Sequence, residues 1–190
     1  MVNIIAIVGL SSTGKDTIAK ILSNDLNIEL LVSSTTRPIR ENEKHGNPYN
    51  FFSEEEFLND VYNNKYIEYR VYNTLYSNKE EMWYYGTRKD SLQDNKTYIV
   101  TTEIQGLLEF KKLQNIKTIS FLIHVPYDLR LERAINRGSF DGVEWNRRKL
   151  DDEERFGDIS TNQFCDYIVE NIDIDNSINI IKEKINSLGF

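Results

Sequence analysis

The chain of 190 residues contains one cysteine and two histidines. A lone thiol, Cys165, excludes an intramolecular disulfide and fits a reducing, cytoplasmic setting. It lies in an apolar stretch and is expected to be a buried structural thiol. His45 and His124 are far apart and have no cysteine partners at metal-ligand spacing, so no zinc centre is expected, and His124 reads as the end of the strand before it. No apolar run approaches membrane-spanning length, and Met1-Val2-Asn3 lacks the basic start of a signal peptide. Lys and Arg number 23 against 30 Asp and Glu, a net charge of -7, which argues against nonspecific nucleic-acid binding. Internal repeats and low-complexity tracts are also missing. What remains is ordinary globular composition, 39% hydrophobic and 12% aromatic, enough for one domain with appendages.

Against that plain background one motif stands out. Ile4-Ile5-Ala6-Ile7-Val8 runs straight into Gly9-Leu10-Ser11-Ser12-Thr13-Gly14-Lys15-Asp16-Thr17, and Thr17 to Leu22 continues with helical spacing of apolar residues. A strand, a glycine-bracketed loop ending in lysine and a helix make a phosphate-binding loop. Its backbone N–H groups converge on an anion, the helix dipole faces it, and the Lys15 ammonium reaches the outer phosphates of a nucleotide. The usual hydroxyl directly after the lysine is replaced by Asp16 and reappears one place later as Thr17. Magnesium is therefore expected to be held through water or by a more distant carboxylate, and Asp16 reads equally well as an acid satisfying the helix N-terminus.

Strand-like and helix-like segments alternate as a parallel α/β sheet requires. Expected strands are 2–8, 30–33, 97–102, 118–124 and 167–169; expected helices are 15–24, 104–113, 126–136, 143–156 and 176–188. Right-handed crossovers would bring the phosphate loop to the carboxyl edge of the sheet. Residues 34–88 break the rhythm, polar and rich in tyrosine and asparagine, and read as an inserted lobe.

Within that segment, Ser33-Ser34-Thr35-Thr36-Arg37-Pro38-Ile39-Arg40 places two arginines three residues apart after a hydroxyl-rich run, with Glu43, Gly46, Tyr49, Phe51 and Phe52 following. Guanidinium groups offer planar paired donors to phosphate oxygens, and hydroxyls add more. Two arginines and a tyrosine suit the phosphate of a nucleoside monophosphate; a solvated surface loop is the plainer reading of this cluster taken alone. Downstream, Arg133 and Arg137 stand one helical turn apart, and Arg148 follows a short polar segment, 139–144, that reads as a lid. Arg147 is the alternative if the register slips by one.

The order of these segments resembles the guanylate kinase family over nearly the whole chain. Val32 to Pro38 is similar to the signature after the family's second strand, and Gly46 to Phe57 continues it. Tyr66-Ile67-Glu68-Tyr69 and Tyr84-Tyr85-Gly86-Thr87 match its acidic segment and its tyrosine-glycine-hydroxyl turn. The resemblance implies a three-layer α/β P-loop kinase fold with a central parallel sheet: a core of residues 1–33 and 89–190 that includes a lid at about 137–148, and a GMP-binding lobe at 34–88. It implies that Ser33, Arg37, Arg40, Tyr49 and Tyr85 hold the GMP phosphate, with Glu43 and Glu103 among the GMP-binding residues. Glu68 and Thr87 read the guanine edge. Guanine presents N1–H and an amine as donors and O6 as an acceptor, which a carboxylate and a hydroxyl complement, whereas adenine offers the opposite pattern.

ATP is expected on Gly9, Ser11, Ser12, Thr13, Gly14, Lys15, Asp16 and Thr17, with Asn171 beside the adenine. Lys15, Arg133, Arg137 and Arg148 are the expected catalytic cations, since phosphoryl transfer asks the protein mainly for charge stabilisation. Thr17 and Glu103 are the expected magnesium partners, and closure of lobe and lid would exclude water. The expected partners are ATP and GMP or dGMP, with neither nucleic acid nor membrane, and the chain acts as a monomer or homodimer.

Three departures from the family pattern are visible. Thr101 stands where one of two alternating acids is usual, leaving Glu103; the stretch 73–82 is longer than the family's turn; and Pro48 restrains Asn47 to an extended shape. The aspartate in Gly14-Lys15-Asp16-Thr17 also resembles phage deoxynucleoside monophosphate kinases, and non-catalytic guanylate kinase-like binding modules remain a further alternative.

Overall fold

The computed structural model describes residues 1–41, 43–76, 79–136, 138, 140–157 and 163–190. These form two compact units: Met1, Asn3–Leu30 and Thr97–Phe190 in one, Val2 and Leu31–Lys96 in the other. The boundaries fall at 30/31 and 96/97, against the expected 33/34 and 88/89.

The first unit is built on a five-stranded parallel sheet in the order β2-β7-β1-β8-β9. Its strands are β1 (Val2–Gly9), β2 (Glu29–Leu30), β7 (Thr97–Thr102), β8 (Ile116–His124) and β9 (Tyr167–Glu170), and its helices are α1 (Lys15–Leu26), α3 (Ile104–Lys112), α4 (Tyr127–Asn136), α5 (Gly142–Phe156) and α6 (Ile174–Ser187). Ile4 to Val8 of β1 are all fully buried, as a central strand covered on both faces demands. Ile5 and Ile7 pack with Ile18 and Leu22 of α1 and with Ile178, Ile181 and Ile185 of α6, so the 3.6-residue stripes of two helices close over one face of the sheet. Asp141 and Asp173 cap α5 and α6 through their side chains. Helix α5 starts at Gly142, so residues 142–148 of the expected lid are its first two turns. Cys165 is only half-buried, in the bend before β9, because its apolar neighbour Phe164 is itself exposed and does not cover it.

The second unit is a four-stranded sheet, β4-β3-β6-β5, with one helix. It contains β3 (Ser34–Thr35), β4 (Asn50–Phe51), α2 (Glu54–Tyr62), β5 (Tyr66–Tyr76) and β6 (Lys79–Arg88). The strand expected at 30–33 is divided: 29–30 pair with β7, and 34–35 pair with β4 and β6. Within the long stretch, residues 73–76 and 79–82 continue the antiparallel ladder of β5 and β6, from Asn73 opposite Met82 to Tyr76 opposite Lys79. Phe57, fully buried, stacks on Tyr66 with ring centroids 4.4 Å apart and makes the small core with Tyr84. A capping box between Ser53 and Glu56 starts α2. The Asn47–Pro48 peptide bond is cis.

Candidate active site

The phosphate loop links β1 to α1 and owes its shape to short-range constraints. Gly14, the N-cap of α1, has φ 88, and a Cβ there would lie 2.8 Å from Asn171 Nδ2. Ser12 is also left-handed, at φ 63. The buried Thr13 hydroxyl donates to the Leu10 carbonyl at 2.9 Å, tying the loop across itself. From beneath, the Asn171 amide donates to the Thr13 carbonyl at 2.8 Å, and the Asn171 side-chain oxygen accepts from Ser177 at 3.2 Å. Asn171 is 1% exposed, so its side chain braces the loop from the core. Lys15 opens α1 half-buried, while Asp16 and Thr17 are exposed in its first turn.

Of the arginines expected to be catalytic, Arg133 of α4 touches this loop, whereas Arg148 and its neighbour Arg147 are held within α5. Arg133 donates to the Asn171 carbonyl at 2.9 Å and, more weakly, to Thr13 and Ile172 carbonyls. Arg148 bonds Glu144 at 2.7 Å and stays largely exposed, and Arg147 holds the same Glu144 through two nitrogens while also reaching Asp151 at 2.6 Å. Burial opposes ionisation of Glu144, but these two guanidiniums outweigh it and keep its pKa below the ordinary value. Arg137 lies outside the described residues. Glu103, the N-cap of α3, pairs with Arg155 at 2.8 Å.

Sequence reading missed one pair. Asp152 of α5 accepts from the Ser11 backbone N–H at 3.0 Å, and the buried Arg130 of α4 donates to the same carboxylate oxygen at 3.2 Å. Burial pushes the Asp152 carboxyl above its ordinary range, against the Ser11 amide and the charges of Arg130 and Lys15. Neither residue carries a motif signal; only an acid and a base on consecutive helices hint at it.

In the second unit, Arg37 is 5% exposed and its Nη2 reaches both Glu43 oxygens at 2.9 Å, while Nη1 donates to the Pro38 carbonyl. Its guanidinium lies over Tyr49 and Phe51, 5.6 and 5.5 Å from the ring centroids. Glu43 also accepts from the Arg40 amide at 3.0 Å, and Arg40 itself is exposed. Glu43, expected among the GMP contacts, thus orients Arg37 with both its oxygens. Tyr85 packs edge-on to Tyr49, 5.6 Å between centroids, and burial raises its phenol pKa. Ser33, half-buried just before β3, accepts from the Asn50 amide through its carbonyl.

On the two strands beyond β3 in this sheet, Glu68 and Thr87 face each other in register across β5 and β6. The Thr87 hydroxyl donates to Glu68 Oε1 at 2.7 Å, and both residues are buried. The other carboxylate oxygen, Oε2, lies 3.3 Å from Arg70 Nε and has no hydrogen bond among the described residues. Gly86 lets the strands close here, since a Cβ would stand 2.8 Å from both the Glu68 carbonyl and the Tyr66 ring. A loop for phosphates and, in the other unit, a buried acid beside an arginine-tyrosine cluster are what a nucleotide-phosphorylating enzyme requires.

The family described as "Guanylate kinase" matches residues 1–188. The chain belongs to the guanylate kinase family. Among curated guanylate kinases, that of Clostridium tetani is 37% identical over 142 residues, 72% of this chain and 64% of that protein's length. That of Mycoplasmoides gallisepticum is 30% identical over 188 residues, covering 96% and 91% of the two chains. The crystal structure of guanylate kinase from Anaplasma phagocytophilum superposes with a TM-score of 0.64 at 23% identity, over 98% of this chain and 85% of that one, a likeness of fold. The guanylate kinase resemblance and the α/β parallel-sheet fold read from the sequence both hold. Among the described residues, no helix of this guanylate kinase family member is long and apolar enough to cross a membrane.

Proposed function

We propose that the chain transfers the γ-phosphoryl group of ATP to GMP or dGMP, giving ADP and GDP or dGDP. The observation that carries this reading is the unsatisfied Glu68 Oε2. Oε2 is paired with Arg70 at 3.3 Å but accepts no hydrogen bond among the described residues, so this buried carboxylate can still take donors, and the N1–H and amine of guanine are such donors. Residues 34–88 are on this reading the GMP lobe. Arg37, Arg40, Tyr49, Tyr85 and Ser33 take its phosphate, and Glu43 keeps Arg37 aimed.

ATP phosphates sit on the amides of Gly9 to Thr17 at the positive end of α1, with Lys15 on the transferring group. Asn171 serves ATP through the loop it supports. Arg133, Arg137 and Arg148 supply further positive charge, Arg133 and Arg148 by leaving their present carbonyl and carboxylate partners. Among the described residues no three acids or histidines converge on one point, which fits magnesium carried by nucleotide phosphates and held by few protein groups, here Thr17 and Glu103. When bound, the ion neutralises phosphate charge. The single thiol suits a cytoplasmic enzyme.

The test is ADP release with ATP and magnesium against each ribo- and deoxyribonucleoside monophosphate, with Lys15→Ala as control. Turnover confined to GMP and dGMP and lost in the variant supports the reading. Activity on other bases removes the guanine assignment, and a folded protein silent on every acceptor points to a binding module.

A further inference from the structure

Beside the phosphate loop, two donors from different elements already converge on one anionic oxygen. Asp152 Oδ2 accepts from the Ser11 backbone N–H at 3.0 Å and from Arg130 Nη1 at 3.2 Å. Arg130 is 8% exposed, and the same Nη1 lies 3.4 Å from the Ser11 carbonyl, so its guanidinium is packed against the loop itself. Three residues further along α4, Arg133 makes a matching approach to the Thr13 carbonyl at 3.5 Å. Residues three apart share a helix face, and α4 therefore presents two arginines to one loop. Arg130 is poorly satisfied where it stands. Its Nε is buried without a hydrogen-bond partner, and among the described residues Asp152 is the one carboxylate it pairs with. A guanidinium taken out of water is compensated only when anionic oxygens meet several of its nitrogens.

We propose that Arg130 is a phosphate-binding residue of the ATP site, and that Asp152 Oδ2 holds the place that an outer phosphate oxygen of ATP takes. An oxygen set there inherits both donors, the amide and the guanidinium. A terminal phosphate has three oxygens and more charge than a carboxylate, so it also engages the nitrogens of Arg130 that Asp152 leaves unmet. Burial opposes the charge on Asp152, which makes it the weaker anion for this position. Arg130 thus joins Lys15 and Arg133 as a cation aimed at the triphosphate. This inference rests on the ATP reading above.

The experiment is equilibrium titration with ATP of the wild type, of Asp152→Ala, and of Asp152→Ala combined with Arg130→Met or with Arg130→Lys, each with a native far-ultraviolet spectrum. The Asp152→Ala background is needed because Arg130→Met alone would strand a buried carboxylate without its cation. Removing Asp152 is expected to tighten ATP binding. Adding Arg130→Met is expected to weaken it roughly ten- to a hundred-fold, the range of a hydrogen bond from a charged donor. Arg130→Lys, which keeps the charge but not the paired donors, should lose less; if the Met variant does not fold, the Lys variant carries the test with that smaller loss. An Arg130 that serves only to neutralise Asp152 has no task once Asp152 is gone, so equal ATP affinity with and without the change at 130 overturns the proposal. Weaker ATP binding in Asp152→Ala than in the wild type also overturns it, because the carboxylate would then support the loop and not keep a phosphate's place. If the wild type binds no ATP, the ATP reading itself falls; if it binds ATP with an affinity indifferent to position 130, only the Arg130 assignment does.

Discussion

Replacing Asn171 with leucine, similar in size but unable to hydrogen bond, tests whether the phosphate loop is held from below. Asn171 Nδ2 is the near donor to the Thr13 carbonyl, at 2.8 Å, and the remaining one, Arg133 Nη1, is at 3.5 Å. Ser177 keeps the Asp173 carbonyl at 2.8 Å as acceptor, so the loss is concentrated on Thr13. A buried carbonyl left without its donor costs about 1–3 kcal/mol. In a chain of this size that lowers Tm by roughly 2–12 °C. If the loosened element is the loop, the fraction of molecules ready to take phosphates falls, and ATP affinity falls by up to the same free energy, about five-fold at the lower end. Thermal unfolding and titration with ATP, run side by side, separate the possibilities. A lower Tm with unchanged ATP affinity would refute the brace and leave Asn171 as a tie between β9 and α6; no change in either would show that the bond contributes nothing.

Gly14→Ala should be more damaging to the loop than its single methyl suggests. It places a side chain at φ 88 and 2.8 Å from Asn171 Nδ2, an expected cost of about 1–3 kcal/mol in backbone strain alone; ATP titration should show binding lost while the far-ultraviolet spectrum stays native. Glu43 is ionised more readily in the folded chain than its ordinary 4.5, because Arg37 and the Arg40 amide outweigh the burial that opposes them. Its contribution to stability is therefore complete above that value and lost as pH falls through the lower value it has in the folded chain, so urea midpoints should drop as pH is taken below about 4.5 and drop less in Glu43→Gln. Parallel curves for the two proteins would contradict this. Phe57→Ala removes a fully buried ring and should cost about 3–5 kcal/mol by urea unfolding; a loss below 1 kcal/mol would mean the lobe's small core repacks freely.

The loop and the parallel sheet were legible because their signals are local: β1 is apolar on both faces, and Gly14 and Lys15 stand at fixed distances from it. The failures are places where the partner decides. Leu31-Val32 looks like the middle of a strand, yet the chain leaves one sheet at Leu30 and joins another at Ser34, and no property of those residues names the strand each will pair with. Residues 73–76 and 79–82, polar enough to pass for parts of a long turn, are held as ladder by β5 and β6 pairing. The same holds for side chains. Asn171 was read as a residue beside the adenine, but its commitment to Thr13, 158 positions away, was not visible. Glu43 was legible as part of the arginine cluster and not as the group that occupies Arg37.

The carboxylate of Asp152 on the Ser11 amide has a bearing on how ATP affinity is to be understood. An amide serves one acceptor well at a time, so a phosphate oxygen arriving at Ser11 exchanges places with an anion the protein already keeps there. The loop is in this sense never empty: what a titration measures is the difference between a foreign anion and a resident one, and the concentration of the resident is fixed by the covalent chain.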